Sequence, residues 1–149
     1  MRLKNLCGGV FCLLLVLTAG ATESVWVKGA ADELYAHYGF AAEFEARKGD
    51  TPVLRMSAAS IARVWVNGEF AGYGPARAPE GYMRVDAWPI GKFVRDGRNV
   101  VAIEVSNPAV NQFYLPEQDG FLFAEVVRDG KVLAATGRDF RAQKLARVR

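Results

Sequence analysis

The run from Ile61 to Pro75, IARVWVNGEFAGYGP, constrains the fold more than any other stretch, because two strand-like segments meet there across an Asn-Gly pair. Asn67 and Gly68 both accept positive φ at low cost. A type I′ turn needs that at its two central positions, and its twist matches that of the strands it joins. The pair therefore predicts a tight β-hairpin. Counting outward from the turn, Val66 faces Glu69, Trp65 faces Phe70 and Val64 faces Ala71. Side chains alternate between the faces of a strand, so Ala62, Val64 and Val66 share the expected core side with Ala71. Arg63, Trp65 and Phe70 share the other side. A second pair, Asp129-Gly130, separates the runs from Phe121 to Val127 and from Lys131 to Ala135, and predicts a second tight hairpin.

The rest of the chain follows the same two-residue period. Phe40, Ala42 and Phe44 alternate with Glu43 and Glu45; Leu54, Met56 and Ala58 lie on one side of a strand beginning at Val53. Asn99 to Val105 is β-branched at Val101, Ile103 and Val105, all on one face. Tyr82 to Asp86 reads as a short strand. Asp32 to Tyr38 is long enough for one helical turn, and Trp26 is a packing residue at the start of the domain. Ala87 to Val94 contains Pro89, which has no ladder donor, so it is a turn or short helical piece tucked under the sheet. Ser106 to Gln118 carries Pro108, Pro116 and several amides, and predicts a long loop. Short strands, frequent Gly, Asp and Asn turns and almost no helical period imply an all-β fold, one antiparallel β-sandwich or jelly roll over residues 22–137. Residues 138–149 hold Arg138, Arg141, Lys144, Arg147 and Arg149 against Asp139, a basic tail expected to approach a further domain.

The first residues bear on compartment. Met1 to Asn5 is basic, Leu6 to Leu17 is apolar, and Ala19-Gly20-Ala21 is small, the pattern of a signal peptide cleaved after Ala21. The apolar run is too short for an ordinary membrane span. Cys7 and Cys12 both lie inside the leader, too early for a lipoprotein site, so the 128 residues that remain of 149 have no cysteine and no disulfide. A chain of that length is held by an ordinary apolar core. Arg2 and Lys4 leave with the leader, taking 19 basic residues to 17 against 16 acidic ones and the formal charge from +3 to +1. That balance gives no reason to expect nucleic acid or an anionic membrane as partner. A secreted or periplasmic protein of bacterial type is expected.

Three segments carry a family pattern: Arg63 to Arg77 (RVWVNGEFAGYGPAR), Tyr82 to Trp88 (YMRVDAW) and Gly97 to Val105 (GRNVVAIEV). Together they run strand, Asn-Gly, Asp, short segment, Gly-x-Asn, strand. The chain resembles the non-catalytic N-terminal β-sandwich module of secreted bacterial α-L-rhamnosidase-like glycoside hydrolases. A related order of Asn-Gly, Asp and Gly-x-Asn occurs in the galactose-binding-like, sugar-binding domains of β-galactosidase-like enzymes. The resemblance implies an accessory domain whose catalytic partner is a separate helical (α/α) barrel. Nothing in this sequence matches that barrel, so no catalytic residue is carried over. The chain is then a truncated product or a domain acting alone; the alternatives are a free carbohydrate-binding module and the sugar-binding domain of a β-galactosidase-like enzyme.

The remaining chemistry is sparse. Glycoside hydrolysis ordinarily needs two carboxylates facing one another across the scissile bond. Here Glu43 and Glu45 fall on a solvent face, while Asp96, Asp119 and Asp129 fall in turns, where Asp serves local hydrogen bonds. His37 is the sole histidine, which leaves no His pair for a metal and no base for a nucleophile. Gly72-Tyr73-Gly74 is followed by Pro75, which removes a backbone donor, so no phosphate loop and no cofactor is expected. No Asn-x-Ser/Thr sequon is present. Two sets remain as candidates. Trp65 and Phe70 offer an aromatic platform for a sugar ring, although packing beneath a neighbouring loop or domain is the commoner fate of such residues. Tyr73, Arg77 and Tyr82, with Asn107, Asn111, Gln112 and Tyr114 from the long loop, suit either a neutral sugar or docking on a catalytic barrel. Loops also use such groups to satisfy their own backbone.

Overall fold

The computed structural model describes residues 22–30, 33–79, 82–111 and 117–146; the expected leader lies outside them. Among the described residues there are nine strands: β1 (Ala36–Ala46), β2 (Val53–Ala58), β3 (Ile61–Val66), β4 (Glu69–Gly74), β5 (Asp86–Pro89), β6 (Gly97–Asn107), β7 (Leu122–Arg128), β8 (Lys131–Ala135) and β9 (Arg141–Lys144). They form a five-stranded sheet in the order β4-β3-β6-β1-β9 and a four-stranded sheet in the order β5-β2-β7-β8, every pairing antiparallel. The fold is an all-β sandwich.

The alternating apolar residues read from the sequence are its filling. Phe40, Ala42 and Phe44 of β1, Ala62, Val64 and Val66 of β3, and Val101, Ile103 and Val105 of β6 point inward from one sheet. Leu54 and Met56 of β2 and Leu122, Ala124 and Val126 of β7 meet them from the other. Trp26 closes one part of this core, edge-on to Tyr38 at 5.4 Å and tilted against Phe40 at 5.8 Å, while its Nε1–H donates to the Ala30 carbonyl at 3.1 Å.

Both hairpins form on the predicted turns. Asn67 and Gly68 have φ of 52° and 82°, Asp129 and Gly130 of 49° and 75°, as a type I′ turn requires. Register departs from simple counting one step out. Val66 faces Glu69 and Trp65 faces Phe70, but a bulge follows and Val64 faces Gly72, with Ala71 as the extra residue. Gly72, at φ 154°, and Gly74 lie bare over the Trp88 ring, so the bulge lets β4 bend onto the other sheet.

Four segments differ from expectation. Residues 36–39 extend β1 instead of forming a helical turn, because Tyr38 also faces the core; the reversal before it is a turn with Tyr35 at φ 55°. Tyr82, Met83 and Val85 are exposed and form no strand, since the β2 ladder ends at Met56 opposite Asp86. From Asp86 to Pro89 the chain is instead an edge strand, a position that tolerates proline, and Gly91–Phe93 is the short helical piece. The expected basic tail contributes β9, which pairs with β1 from Tyr38 opposite Lys144 to Ala41 opposite Arg141.

Candidate functional site

The motif residues meet in the interior. Asn99, fully buried, is the Asn of Gly-x-Asn, and its side-chain oxygen accepts from Arg95 N–H at 2.8 Å and from Asn67 Nδ2 at 2.8 Å. Its own Nδ2 donates to the carbonyls of Arg95 at 2.9 Å and Gly97 at 2.8 Å. Asn67 also donates to the Phe93 carbonyl at 2.8 Å and accepts from Val100 N–H at 3.0 Å. The turn Asn thus clamps the β3-β4 hairpin to β6 and to the short helix. Asp86 plays a comparable part on the Gly/Pro-rich excursion, accepting from Ala76 N–H at 2.7 Å and Arg84 Nε at 2.8 Å. These groups hold the fold together.

The outer face of the five-stranded sheet is different. Its register places Phe70, Trp65, Ala102, Ala41 and Arg141 in one row across the strands, and Tyr73, Arg63, Glu104, Gly39 and Gln143 in the next. Gly39, Ala41 and Ala102 make a low floor between Trp65 on one side and β9 on the other. A trough of about 360 Å³ results, closed partly by Leu145, whose side chain lies so near Gly39 that a β-carbon there would sit 3.2 Å from it. A second hollow of about 480 Å³ continues past Ala41 and Arg141 toward Glu43 and Asp139.

Aromatic rings prop the trough's first wall. Trp65, half-buried, meets Phe70 edge-on at 5.7 Å, and Phe70 meets Tyr73 edge-on at 4.9 Å. Phe70 is 46% exposed and Tyr73 68%, so this wall extends as an apolar ridge in solvent. At the trough's end, one oxygen of Glu104 binds both His37 Nε2 and Arg63 Nη1, the latter at 3.4 Å. Arg141 and Gln143, exposed on β9, have no side-chain partner among the described residues.

The remaining sequence candidates do not converge on this trough. Arg77 and Tyr82 are exposed on the excursion beyond β4 and do not line it. Asn107 is buried: its Nδ2 donates to the Gln118 carbonyl and its oxygen accepts from Ser60, both at 3.0 Å, so it pins the loop. Asn111 accepts from Glu117 N–H at 2.9 Å, satisfying the same loop. Gln112 and Tyr114 lie outside the described residues. Trp65, Phe70 and Tyr73 do come together, and Gly39, Ala41, Ala102, Glu104, Arg141 and Gln143 join them. The signal for the floor was present as small residues at alternate positions, Gly39 and Ala41, but only cross-strand register sets Ala102 beside them.

The carboxylates that the fold holds in place are tied to cations or backbone. Glu125, mostly buried, binds Arg55 Nη1 at 2.6 Å and accepts from the Thr22 hydroxyl at 2.6 Å. Asp50 accepts from Arg47 N–H at 2.7 Å and pairs with Arg128, and these hold its carboxyl below the usual range. Tyr38 is raised by its hydrogen bond to Glu33. Among the described residues no group of three or more His, Cys, Asp or Glu is placed to hold a metal. No helix among them is long and apolar enough to cross a membrane.

No protein-family model and no curated protein matches the chain. Solved structures do. The GH78 family rhamnosidase of Bacillus sp. GL1 superposes with a TM-score of 0.76 at 30% identity, over 85% of this chain and 14% of that one. The α-L-rhamnosidase of Streptomyces avermitilis, solved with L-rhamnose, gives 0.61 at 15% identity over 85% of this chain and 12% of its own. That of Dictyoglomus thermophilum gives 0.57 at 16%, over 83% and 15%. The two more distant likenesses speak to the fold alone, and in each case the chain spans a small part of a much longer enzyme. In fold, and at 30% identity in sequence, the chain is similar to one β-sandwich portion of GH78 α-L-rhamnosidases.

Proposed function

We propose that this chain is a non-catalytic accessory module of an exported α-L-rhamnosidase-like glycoside hydrolase, working beside a catalytic barrel. The observation that carries the reading is the match to the Bacillus enzyme, which takes in 85% of this chain but 14% of the rhamnosidase. Export rests on the leader pattern of residues 1–21, and Thr22, the first residue after the expected cleavage point, already donates to Glu125.

Two measurements test this. The nucleotide sequence beyond the codon for Arg149, read in all three frames, is expected to encode or to have once encoded a helical barrel; an unrelated gene there counts for a module acting alone. Purified protein is expected to leave p-nitrophenyl α-L-rhamnoside intact, and release of nitrophenol at enzymatic rates would overturn the accessory role.

A further inference from the structure

We propose that the trough on the outer face of the five-stranded sheet is a saccharide-binding site, taking one neutral sugar ring against Trp65 above the Ala41 and Ala102 floor, with Leu145 lying over Gly39 as its end wall. This deepens the accessory reading, since a module of a glycan-cleaving protein gains a ligand of its own, yet it stands on different observations. Β-strands lie about 4.8 Å apart, and β3 and β9 are separated by two intervening strands. The walls are therefore roughly 14 Å apart at their backbones, and in the row of Trp65 only Ala102 and Ala41 lie between them on the outer face. A flat ring with its substituents fits that gap, and the volume of about 360 Å³ falls in the range of small-ligand sites.

The groups around the floor decide what kind of ring. Trp65 supplies an apolar π-face, braced from behind by Phe70 so that its orientation is set before binding. Opposite it, Arg141 and Gln143 bring donors and an amide acceptor with no partner among the described residues. Glu104 uses one carboxylate oxygen for both His37 and Arg63, leaving the other to accept. One face therefore wants C–H bonds and the rim wants both donors and acceptors, which is the make-up of a pyranose. A purely apolar helix or strand laid in the trough would bury the Arg141 guanidinium without a partner, which is strongly unfavourable. The second hollow, sharing Ala41 and Arg141, gives a following sugar unit a place to lie.

The test is a titration of ¹⁵N-labelled protein with methyl α-L-rhamnoside, methyl β-D-galactoside and cellobiose, followed by amide and indole shifts. At least one sugar is expected to give saturable shifts at the Trp65 indole and at Gly39, Ala41 and Ala102, with a dissociation constant of about 1–10 mM. Trp65→Ala removes a half-buried ring and is prone to disturb folding, so the decisive variants are Ala41→Leu, which fills the floor, and Gln143→Ala. Both positions are solvent-exposed. Each is expected to weaken binding about fivefold or more while leaving the melting temperature in place. No saturable shift with any of the three sugars at ~50 mM, shifts that map away from the trough, or affinity unchanged in both variants would each overturn the site. None of those results bears on whether a rhamnosidase barrel is encoded beyond Arg149, so the two readings fail separately.

Discussion

The β3-β4 and β7-β8 hairpins are built alike and held differently. Each turns on an Asx-Gly pair with both central residues at positive φ, and each has a register shift close to its turn, between Val64 and Trp65 in one and between Val126 and Val127 in the other. In the first, the turn Asn reaches back into the protein and exchanges four hydrogen bonds with Phe93, Asn99 and Val100 when its own backbone N–H is included. In the second, the Asp129 side chain is 90% exposed and approaches only the Arg128 guanidinium, at 3.9 Å. Identical turn chemistry therefore serves two purposes. One turn only reverses the chain; the other also fixes the hairpin whose outer side carries Trp65, Phe70 and Tyr73.

If that contrast is right, the largest loss comes from the partner amide. Asn99→Ala removes four hydrogen bonds from a fully buried site, taking the side-chain acceptor from Arg95 N–H, the amide donor from the Arg95 and Gly97 carbonyls, and one of the two acceptors of Asn67 Nδ2. Unsatisfied buried polar groups cost about 1–3 kcal/mol each, so a loss on the order of 3 kcal/mol is expected, or roughly 10–15 °C in melting temperature for a domain of this size. Thermal denaturation followed by circular dichroism measures it. A drop under about 1 kcal/mol would mean that water substitutes freely and the clamp is no clamp.

The sharper test makes the same replacement in both turns. Glycine keeps the positive φ and deletes only the side chain, so Asn67→Gly isolates the clamp, at about 2 kcal/mol. Asp129→Gly removes an exposed carboxylate from a strained non-glycine position and is expected to fall within about 0.5 kcal/mol of neutral. Equal effects in urea denaturation would dissolve the distinction between the hairpins. Asn67→Gly is also expected to loosen the aromatic ridge, visible as narrower Phe70 and Tyr73 ring resonances from faster motion.

How much of this was legible in the sequence follows from what is local and what is not. Asn67-Gly68 and Asp129-Gly130 set their turns through their own φ preferences, and the inward sets Phe40, Ala42, Phe44 and Val101, Ile103, Val105 follow from alternation along one strand. Trp65 opposite Phe70 came from counting across a turn. The bulge at Ala71 did not, because it answers to Gly72 and Gly74 settling on Trp88, a contact between sheets. Asn107 read as a loop amide for a sugar, for docking or for its own loop; its distance in sequence from Ser60 hid the particular bond that helps bury it. The trough floor needs β6 next to β1, and β9 on β1's other edge, a strand order that no run of residues announces. Basic character concealed β9 itself, since all four of its residues are exposed and no apolar alternation marks it.

The smallest effect concerns the tether of the second hairpin. Arg128, the last residue of β7 before the Asp129 turn, pairs with Asp50, whose carboxylate also accepts from Arg47 N–H. That backbone bond first, and then the Arg128 charge, lower the Asp50 pKa from its ordinary 3.8. A group whose pKa is lower folded than unfolded contributes stability that is complete above the unfolded value and disappears as pH falls through the folded one. Wild-type stability is therefore expected to decline through this group only below about pH 4, whereas Asp50→Asn, which keeps an acceptor for Arg47 but no charge for Arg128, loses this component of the acid dependence. Melting temperatures of the two proteins measured from pH 6 to 2 should converge at the acid end. The pair is only half-buried, so solvent still screens it and the gap at neutral pH stays below that of Asn67→Gly. A gap as large as the Asn67→Gly effect, or one that stays constant with pH, would show that the second hairpin is anchored by something other than this ion pair.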